Sequence, residues 1–272
     1  SFLEIYSPQA LSSLKGCFDD TRLANLRSGR MPAVLCRGFI DVQPGDLPDT
    51  PSRIQDMVFP PVAENVLHEM ARMIGGVLAP KGLAKGIENT IRFINSEGVQ
   101  ANEETWHSHP QFDLSIFFCL RADPHAKVML VQARDIFEAA PKNIQPILLQ
   151  AFPYIEGRED FALLQKHGER YVFAREIYHP SKFQGSIEDL DLPDVKGTLE
   201  HILKNLRETC PRAGLDWILG HFSEDCGFSI IYQPGDIAIY DEKGTLRYSP
   251  SFIPKSKPPH DRWLQSVSLM IE

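Results

Sequence analysis

The chain has 272 residues, of which 43% are hydrophobic and 24% charged, and this composition predicts a globular protein with a large buried core. Its formal net charge of -8 excludes a general nucleic-acid surface, because phosphate binding needs clustered lysine and arginine residues. No apolar run reaches the roughly 18 residues that a membrane span needs. We therefore expect one domain over residues 1–272 that binds a small molecule, with its oligomeric state left open.

The cysteines indicate a reducing compartment. The chain contains an odd number of them, widely scattered and never in a C-x-x-C pair: Cys17, Cys36, Cys119, Cys210 and Cys226. A disulfide framework needs an even and more regular set. We therefore predict a cytoplasmic protein.

Apolar residues recur with helical spacing in four stretches. The first two helices are predicted over residues 8–26 and over Pro61–Ile74, where a pair of glycines ends the pattern. A third stretch, 133–151, is helical in pieces because two prolines interrupt it, and the last helix is predicted over 194–209.

Short strands separated by turn residues account for most of the remaining chain. The predicted strands cover residues 33–40, 87–94, 113–121, 127–132, 171–178, 228–232, 237–240 and 263–271. The turn Ala122-Asp-Pro-His-Ala126 predicts a hairpin between the strands on either side of it. The pattern is mainly β with flanking helices and is typical of an antiparallel sheet closed or sandwiched on itself.

Two histidines stand one residue apart just before the predicted strand 113–121. His107 and His109 belong to the segment Glu104-Thr-Trp-His-Ser-His-Pro-Gln-Phe-Asp113. A rigid strand can aim neighbouring side chains at one point, and imidazole nitrogens are common ligands of transition metals. The pair predicts metal ligands, while a surface or hydrogen-bonded pair remains the alternative.

Four segments occur in the order and spacing of one enzyme family. They are Thr105-Trp-His-Ser-His109, Phe118-Cys-Leu-Arg-Ala-Asp-Pro124, Pro234-Gly-Asp-Ile-Ala-Ile-Tyr-Asp241 and Asp261-Arg-Trp-Leu-Gln265. Together they resemble the clavaminate synthase-like branch of the iron(II)/2-oxoglutarate dioxygenases, the TauD/TfdA superfamily. The loop Leu47-Pro-Asp-Thr-Pro51 is similar to the family's loop as well. The resemblance implies a double-stranded β-helix, or jelly roll, and an oxidoreductase that uses Fe(II) and 2-oxoglutarate.

The resemblance also implies site residues. In the family two histidines and a carboxylate bind iron, and the first histidine corresponds to His107. His109 stands at the carboxylate position, and Arg247 stands where the family has its second histidine. Arg262 corresponds to the arginine that pairs with the distal carboxylate of 2-oxoglutarate, a bidentate contact that a guanidinium suits. A further family arginine is replaced by Ser266.

The two replaced ligands have different consequences for a metal ion. A neutral imidazole such as that of His109 can stand in for a carboxylate, although the site then holds Fe(II) less tightly. A guanidinium stays protonated and has no lone pair to donate, so Arg247 at the iron would repel it. A third ligand would have to come from a shifted position, for which His260, His221 and Asp113 are the candidates.

Three hypotheses remain open from the sequence. The first is an oxygenase with an altered metal site that hydroxylates or desaturates a small amino-acid-like molecule. The second is a metal-independent enzyme without cofactors, in which His107, His109 and Arg247 act as acid-base and electrostatic groups in a cyclisation, elimination or isomerisation. The third is a non-catalytic binding relative. Arg247 is either a surface residue or a fixed charge in the pocket, and Arg262 is either the co-substrate anchor or a structural ion-pair residue.

Overall fold

The computed structural model describes residues 3–6, 19–50, 61–78, 92–95, 104–107, 112–151, 162–173, 217, 227–250, 252–256 and 260–271. The helices in these ranges are α1 (Asp20–Arg27), α2 (Pro61–Ile74), α3 (Ala133–Ala139) and α4 (Gln145–Leu149). No helix in these ranges is long and apolar enough to cross a membrane.

Strands make up most of the regular structure in the described ranges. They are β1 (Leu3–Tyr6), β2 (Ala33–Arg37), β3 (Gly76–Leu78), β4 (Arg92–Asn95), β5 (Glu104–His107), β6 (Leu114–Arg121), β7 (Lys127–Gln132), β8 (Leu164–His167), β9 (Arg170–Phe173), β10 (Phe228–Ile231), β11 (Ile237–Asp241), β12 (Thr245–Ser249) and β13 (Trp263–Ile271). The predicted class, mainly β with flanking helices, is confirmed.

The described strands form two large sheets. The major sheet has seven strands in the order β1-β2-β11-β6-β13-β3, with β4 also paired to β13, and the minor sheet has the order β10-β7-β12-β5. All pairs in these two sheets are antiparallel except β1 with β2. A separate hairpin joins β8 and β9. Two facing antiparallel sheets are the arrangement of a jelly roll.

The outer face of the major sheet packs against α1 and α2. The contacts are made by one buried face of each helix and by alternate residues of β6, namely Leu23, Leu26, Val66, Leu67, Met70, Ile74, Leu114, Ile116, Phe118 and Leu120. Full burial of one such side chain contributes about 1.5–3 kcal/mol. Phe117 and Cys119 of β6 belong to the core between the two sheets, so both faces of this strand are buried and its middle, residues 116–120, is a continuous apolar run.

The predicted hairpin between residues 113–121 and 127–132 is wrong. β6 pairs with β11 and β13 in the major sheet, whereas β7 pairs with β10 and β12 in the minor sheet. The turn itself has the expected chemistry, since Asp123 Oδ1 accepts a hydrogen bond from the backbone N–H of His125 at 2.9 Å. This turn carries the chain from one sheet to the other. Local turn signals do not specify the partner strand, which is set by the burial of both faces.

Most other predicted elements agree with the structure within the described residues. The helix predicted over residues 8–26 is an exception, because it begins at Asp20, after Asp19, whose backbone is extended and whose side chain caps the helix by accepting from the backbone N–H of Arg22. Residues 8–18 lie outside the described part. The helix Pro61–Ile74 and the strand Trp263–Ile271 have the predicted bounds, and Gly75 ends the helix with a φ of 74°. The strand predicted from residue 33 stops at Arg37, because Gly38 turns the chain with a φ of 53°. The predicted helix 194–209 lies outside the described residues.

The turn before β11 is fixed by a buried carboxylate. Asp236 is fully buried and accepts hydrogen bonds from Nη1 of Arg37 at 2.6 Å and from the backbone N–H of Gly38 at 2.9 Å. Gly235 has a φ of 86°, and a Cβ at this position would collide with the carbonyl oxygen of Ile40. The Pro-Gly-Asp motif therefore sets where β11 enters the major sheet.

Candidate active site

The space between the two sheets is mostly filled by side chains. Its core consists of Ala33, Leu35, Phe117, Cys119, Val128, Leu130, Ile230, Tyr232, Ala238, Tyr240 and Leu264. At one edge of this core a cavity of about 20 Å³ remains, which is room for about one water molecule. Its lining is Phe117, Val128, Tyr232, Tyr240, Arg247, Ser249, Arg262 and Leu264. Two arginines and two tyrosines thus meet in an otherwise apolar interior.

Arg247 is presented on the inner face of the minor sheet. Its backbone in β12 is in register with Leu130 of β7 on one side and with His107 of β5 on the other. Its sequence neighbours Leu246 and Tyr248 pack into the outer core, because alternate side chains of a strand face opposite sides. The side chain of Arg247 is 11% exposed and lines the cavity. The sequence left Arg247 as either a surface residue or a charge in the pocket, and in the structure its side chain lies in the interior.

Aromatic rings and a carboxylate surround the Arg247 guanidinium. Its Cζ lies 5.0 Å from the ring centroid of Phe117 and 5.8 Å from that of Tyr240. Its Nη2 is 3.2 Å from Oε1 of the buried Glu242. Within the described residues its Nε is buried and has no hydrogen-bond partner. The ring contacts and the ion pair stabilise the charge, while Nε remains a donor open to a ligand.

The second guanidinium of the cavity belongs to Arg262, which precedes β13 and is only 4% exposed. The neighbouring residue Asp261 is held by Thr50, whose hydroxyl donates to its carbonyl oxygen at 3.1 Å. Thr50 in turn accepts from Nη1 of Arg121 at 2.7 Å. Nη2 of Arg121 donates to two backbone carbonyls of the loop 47–50, at 2.6 and 3.1 Å. The loop that resembles the family's loop is therefore anchored beside Arg262.

Two buried phenols complete the polar part of the lining. The hydroxyls of Tyr232 and Tyr240 hydrogen-bond to each other. Burial raises the pKa of Tyr240 to about 12, although the hydrogen bond from Tyr232 and the charges of Arg247 and Arg262 act in the opposite direction. Burial also raises the pKa of Tyr232. Both phenols are protonated at neutral pH. One of their two O–H groups is used in the hydrogen bond that joins them, which leaves the other as a donor for a ligand.

The predicted metal-binding histidines fall only partly within the described residues. The backbone of His107 ends β5 opposite Arg247, but its side chain lies outside the described part. His109 and the alternative ligand His221 lie outside the described residues. The other alternative, His260, is exposed. The role of His107 and His109 as metal ligands therefore remains a prediction.

Asp113, another alternative third ligand, is engaged elsewhere. Its Oδ1 accepts a hydrogen bond from Nζ of Lys243 at 2.6 Å, and its Oδ2 accepts one from the backbone N–H of Ile271 at 2.9 Å. Both contacts join ends of strands in the major sheet. Both oxygens of the Asp113 carboxylate are thus engaged in hydrogen bonds at the ends of strands, which does not support Asp113 as a third metal ligand in the cavity.

The described residues do not fit a three-residue iron site. Among them, no group of three or more His, Cys, Asp or Glu side chains is arranged to hold a metal ion. The strand position that corresponds to the family's second histidine carries the guanidinium of Arg247, which has no lone pair to donate. The 2-oxoglutarate anchor does fit, because Arg262 is buried and lines the cavity. This part of the barrel suits a carboxylate better than a cation.

Sequence reasoning missed three members of the site. Tyr240 had a usable signal, since alternation along β11 sends Ala238 and Tyr240 inward and Ile237 and Ile239 outward. Tyr232 and Glu242 lie at strand ends, where period-two alternation no longer predicts the facing. Their contacts depend on how the turns fold.

The two sheets form a double-stranded β-helix, a fold similar to that of solved non-haem iron oxygenases, which confirms the predicted jelly roll. Among solved structures, the chain is similar to asparagine oxygenase, with a TM-score of 0.64 and 19% identity over 92% of this chain and 77% of that chain. It is also similar to the non-haem iron oxygenase OrfP in complex with Fe and L-Arg, with a TM-score of 0.61 and 14% identity over 100% of this chain and 94% of that chain. No protein-family model and no curated protein matches the sequence.

Proposed function

We propose that this chain is an iron(II)/2-oxoglutarate oxygenase with an altered metal site that acts on a small amino-acid-like substrate. The observation that carries the proposal is Arg262, a buried guanidinium in the cavity between the sheets, where the resemblance implies contact with 2-oxoglutarate. A guanidinium binds a carboxylate through two parallel hydrogen bonds. The fold, shared with asparagine oxygenase and OrfP, supports the same function.

The residues of the chain have separate tasks in this proposal. Arg262 binds and orients the distal carboxylate of 2-oxoglutarate, and the pair of buried phenols donates one hydrogen bond to a ligand oxygen. His107 and His109 would hold Fe(II), which when bound supplies the activation of oxygen. The ring of Phe117 forms an apolar part of the cavity wall.

The substrate class rests on the ligands of the similar enzymes and on the charge of the cavity. Asparagine oxygenase has been crystallised with 2S,3S-3-hydroxyasparagine and OrfP with L-Arg. An amino acid brings a carboxylate, which suits a cavity whose described lining contains two arginines and no acidic residue. Hydroxylation or desaturation of a small amino-acid-like molecule is the reaction we propose.

One observation favours a second candidate, a metal-independent enzyme on the same scaffold. The Arg247 guanidinium lies inside the barrel opposite His107, so its charge opposes a cation there and stabilises an anion instead. A preorganised positive charge in an apolar cavity stabilises negative charge that develops during a cyclisation, elimination or isomerisation. In this candidate His107 and His109 act as acid-base groups.

Reconstitution with iron separates the two candidates. Under anaerobic conditions the oxygenase proposal predicts about one tightly bound Fe(II) per chain, and on admission of air the consumption of 2-oxoglutarate. Alanine at Arg262 is expected to raise the KM for 2-oxoglutarate at least about tenfold, because a charged contact is lost. Iron is measured by metal analysis and 2-oxoglutarate by the succinate formed.

The matched control is Arg72→Ala, which removes an arginine that is 70% exposed on α2 and is expected to leave the KM unchanged. Turnover that persists in EDTA and does not consume 2-oxoglutarate would contradict the oxygenase proposal and support the metal-independent one.

A further inference from the structure

The cavity between the sheets is built for negative charge. Arg247 and Arg262 both line it, and none of the eight lining residues in the described part of the chain is acidic. Glu242 approaches Arg247 from outside this lining, with Oε1 at 3.2 Å and Oε2 at 3.4 Å from Nη2. These are long contacts for an arginine–carboxylate pair, which prefers two short parallel hydrogen bonds.

Both guanidiniums act on the same pair of phenols. Burial raises the pKa of Tyr240 and of Tyr232, whereas Arg247 and Arg262 each lower both values. A coulombic effect of this kind requires a charge nearby. The geometry agrees, since both arginines and both tyrosines line the same small cavity, so one small ligand that enters it can contact both guanidiniums.

We propose that Arg247 and Arg262 form one binding site for a small dicarboxylate and that this site needs no metal ion. The inference rests on the proposed function in taking the cavity between the sheets as the ligand site. The new element is that Arg247, whose backbone pairs with His107 across the ladder, binds an anion. Within the described residues Nε of Arg247 is buried and has no hydrogen-bond partner, and the guanidinium Cζ lies 5.0 Å from the Phe117 ring centroid. A charged hydrogen bond is stronger in such an interior than in water.

Binding a dicarboxylate requires movement of side chains. The described cavity of about 20 Å³ accommodates about one water molecule, and succinate is several times larger. The long contacts between Arg247 and Glu242 leave the guanidinium available to an incoming carboxylate. We therefore expect ligand binding to stabilise the fold as well as to fill the site.

The test is a calorimetric titration of the full chain in EDTA. The probe is succinate, and the comparison ligands are butyrate, which has the same carbon chain with one carboxylate, and inorganic phosphate. We expect saturable binding of succinate, together with at least about tenfold weaker binding of butyrate and phosphate, because each engages only one guanidinium well. Succinate is also expected to raise the thermal unfolding temperature.

Variants assign the effect to the two arginines. Arg247→Met and Arg262→Met are each expected to weaken succinate binding at least about tenfold. The double variant Arg247→Met with Glu242→Gln avoids a buried carboxylate without a partner and keeps the test valid if the single variant unfolds. Arg72→Met is the matched control, since Arg72 also pairs with a glutamate, Glu69, at 3.0 Å, but on an exposed helix surface.

The outcomes separate this inference from the proposed function. Succinate binding that appears only after Fe(II) is added would overturn the metal-free site and leave the oxygenase proposal standing. Equal affinity for succinate, butyrate and phosphate, or unchanged affinity in the double variant, would also overturn it. Metal-free succinate binding in a protein that never consumes 2-oxoglutarate would support the inference and count against the oxygenase proposal alone.

Discussion

Replacing Arg247 with histidine is expected to raise the affinity of the chain for Co(II) at least about hundredfold. The substitution removes a fixed positive charge from the interior and adds a nitrogen donor on β12, directly across the ladder from His107. It also releases the buried carboxylate of Glu242 from its cationic partner, so that this charge attracts the metal ion. Co(II) serves as a spectroscopic substitute for Fe(II), and binding is followed by visible absorption and calorimetry.

Two further variants distinguish the effect of removing the positive charge at position 247 from the effect of adding a metal ligand there. Arg247→Met removes the charge without adding a ligand, so a smaller gain of about tenfold or less is expected. Arg72→His adds an imidazole on the exposed surface of α2 and is expected to leave Co(II) binding in the barrel unchanged. If the histidine and methionine variants at position 247 had the same affinity for Co(II), the position would not face the metal.

Replacing Asp236 with alanine is expected to lower the free energy of unfolding by about 3–5 kcal/mol. The carboxylate is fully buried, and its partners are Nη1 of Arg37 at 2.6 Å and the backbone N–H groups of Gly38 and Gln233 at 2.9 and 2.8 Å. Alanine leaves the guanidinium, which is 18% exposed, without its anion and the two amides without an acceptor. The turn before β11 loses its anchor, and with it the strand that carries Tyr240.

Urea denaturation measures the loss, with the change in the midpoint converted to a free energy at constant slope. Asp41→Ala is the matched control, because Asp41 is exposed and its carboxylate accepts a hydrogen bond from the Gln43 side chain, at 2.6 Å, on the protein surface. A loss for Asp236→Ala as small as that for the control would mean that the buried carboxylate does not fix the turn.

The sequence predicted elements better than it predicted their pairing. The helix Pro61–Ile74 and the strand Trp263–Ile271 have periodic apolar patterns with clear ends, which local physics alone explains. β6 is buried along its whole length, so no alternation in its sequence indicates which face meets the helices. The turn at 122–126 has good hairpin chemistry and still joins different sheets. Strand pairing is decided by tertiary burial, which a turn signal does not carry.

The residues of the candidate site show the same contrast between what local sequence predicts and what tertiary structure decides. Arg262 and Arg247 were identified from aligned motifs, but the sequence left open whether Arg247 faces solvent or the pocket. Its position in the barrel follows from the register of β12 between β7 and β5, a long-range property of the sheet. Glu242 and the phenol pair escaped prediction because their contacts join residues at strand ends to a different sheet or turn.

The central claim is that the cavity between the two sheets, with its two arginines, binds the carboxylates of the reacting ligand. A crystal soaked with Fe(II) and 2-oxoglutarate tests it most directly, with anomalous scattering used to locate any iron. The account predicts 2-oxoglutarate in this cavity with one carboxylate hydrogen-bonded to the Arg262 guanidinium. Density for 2-oxoglutarate outside the barrel, beside an unchanged cavity, would contradict it.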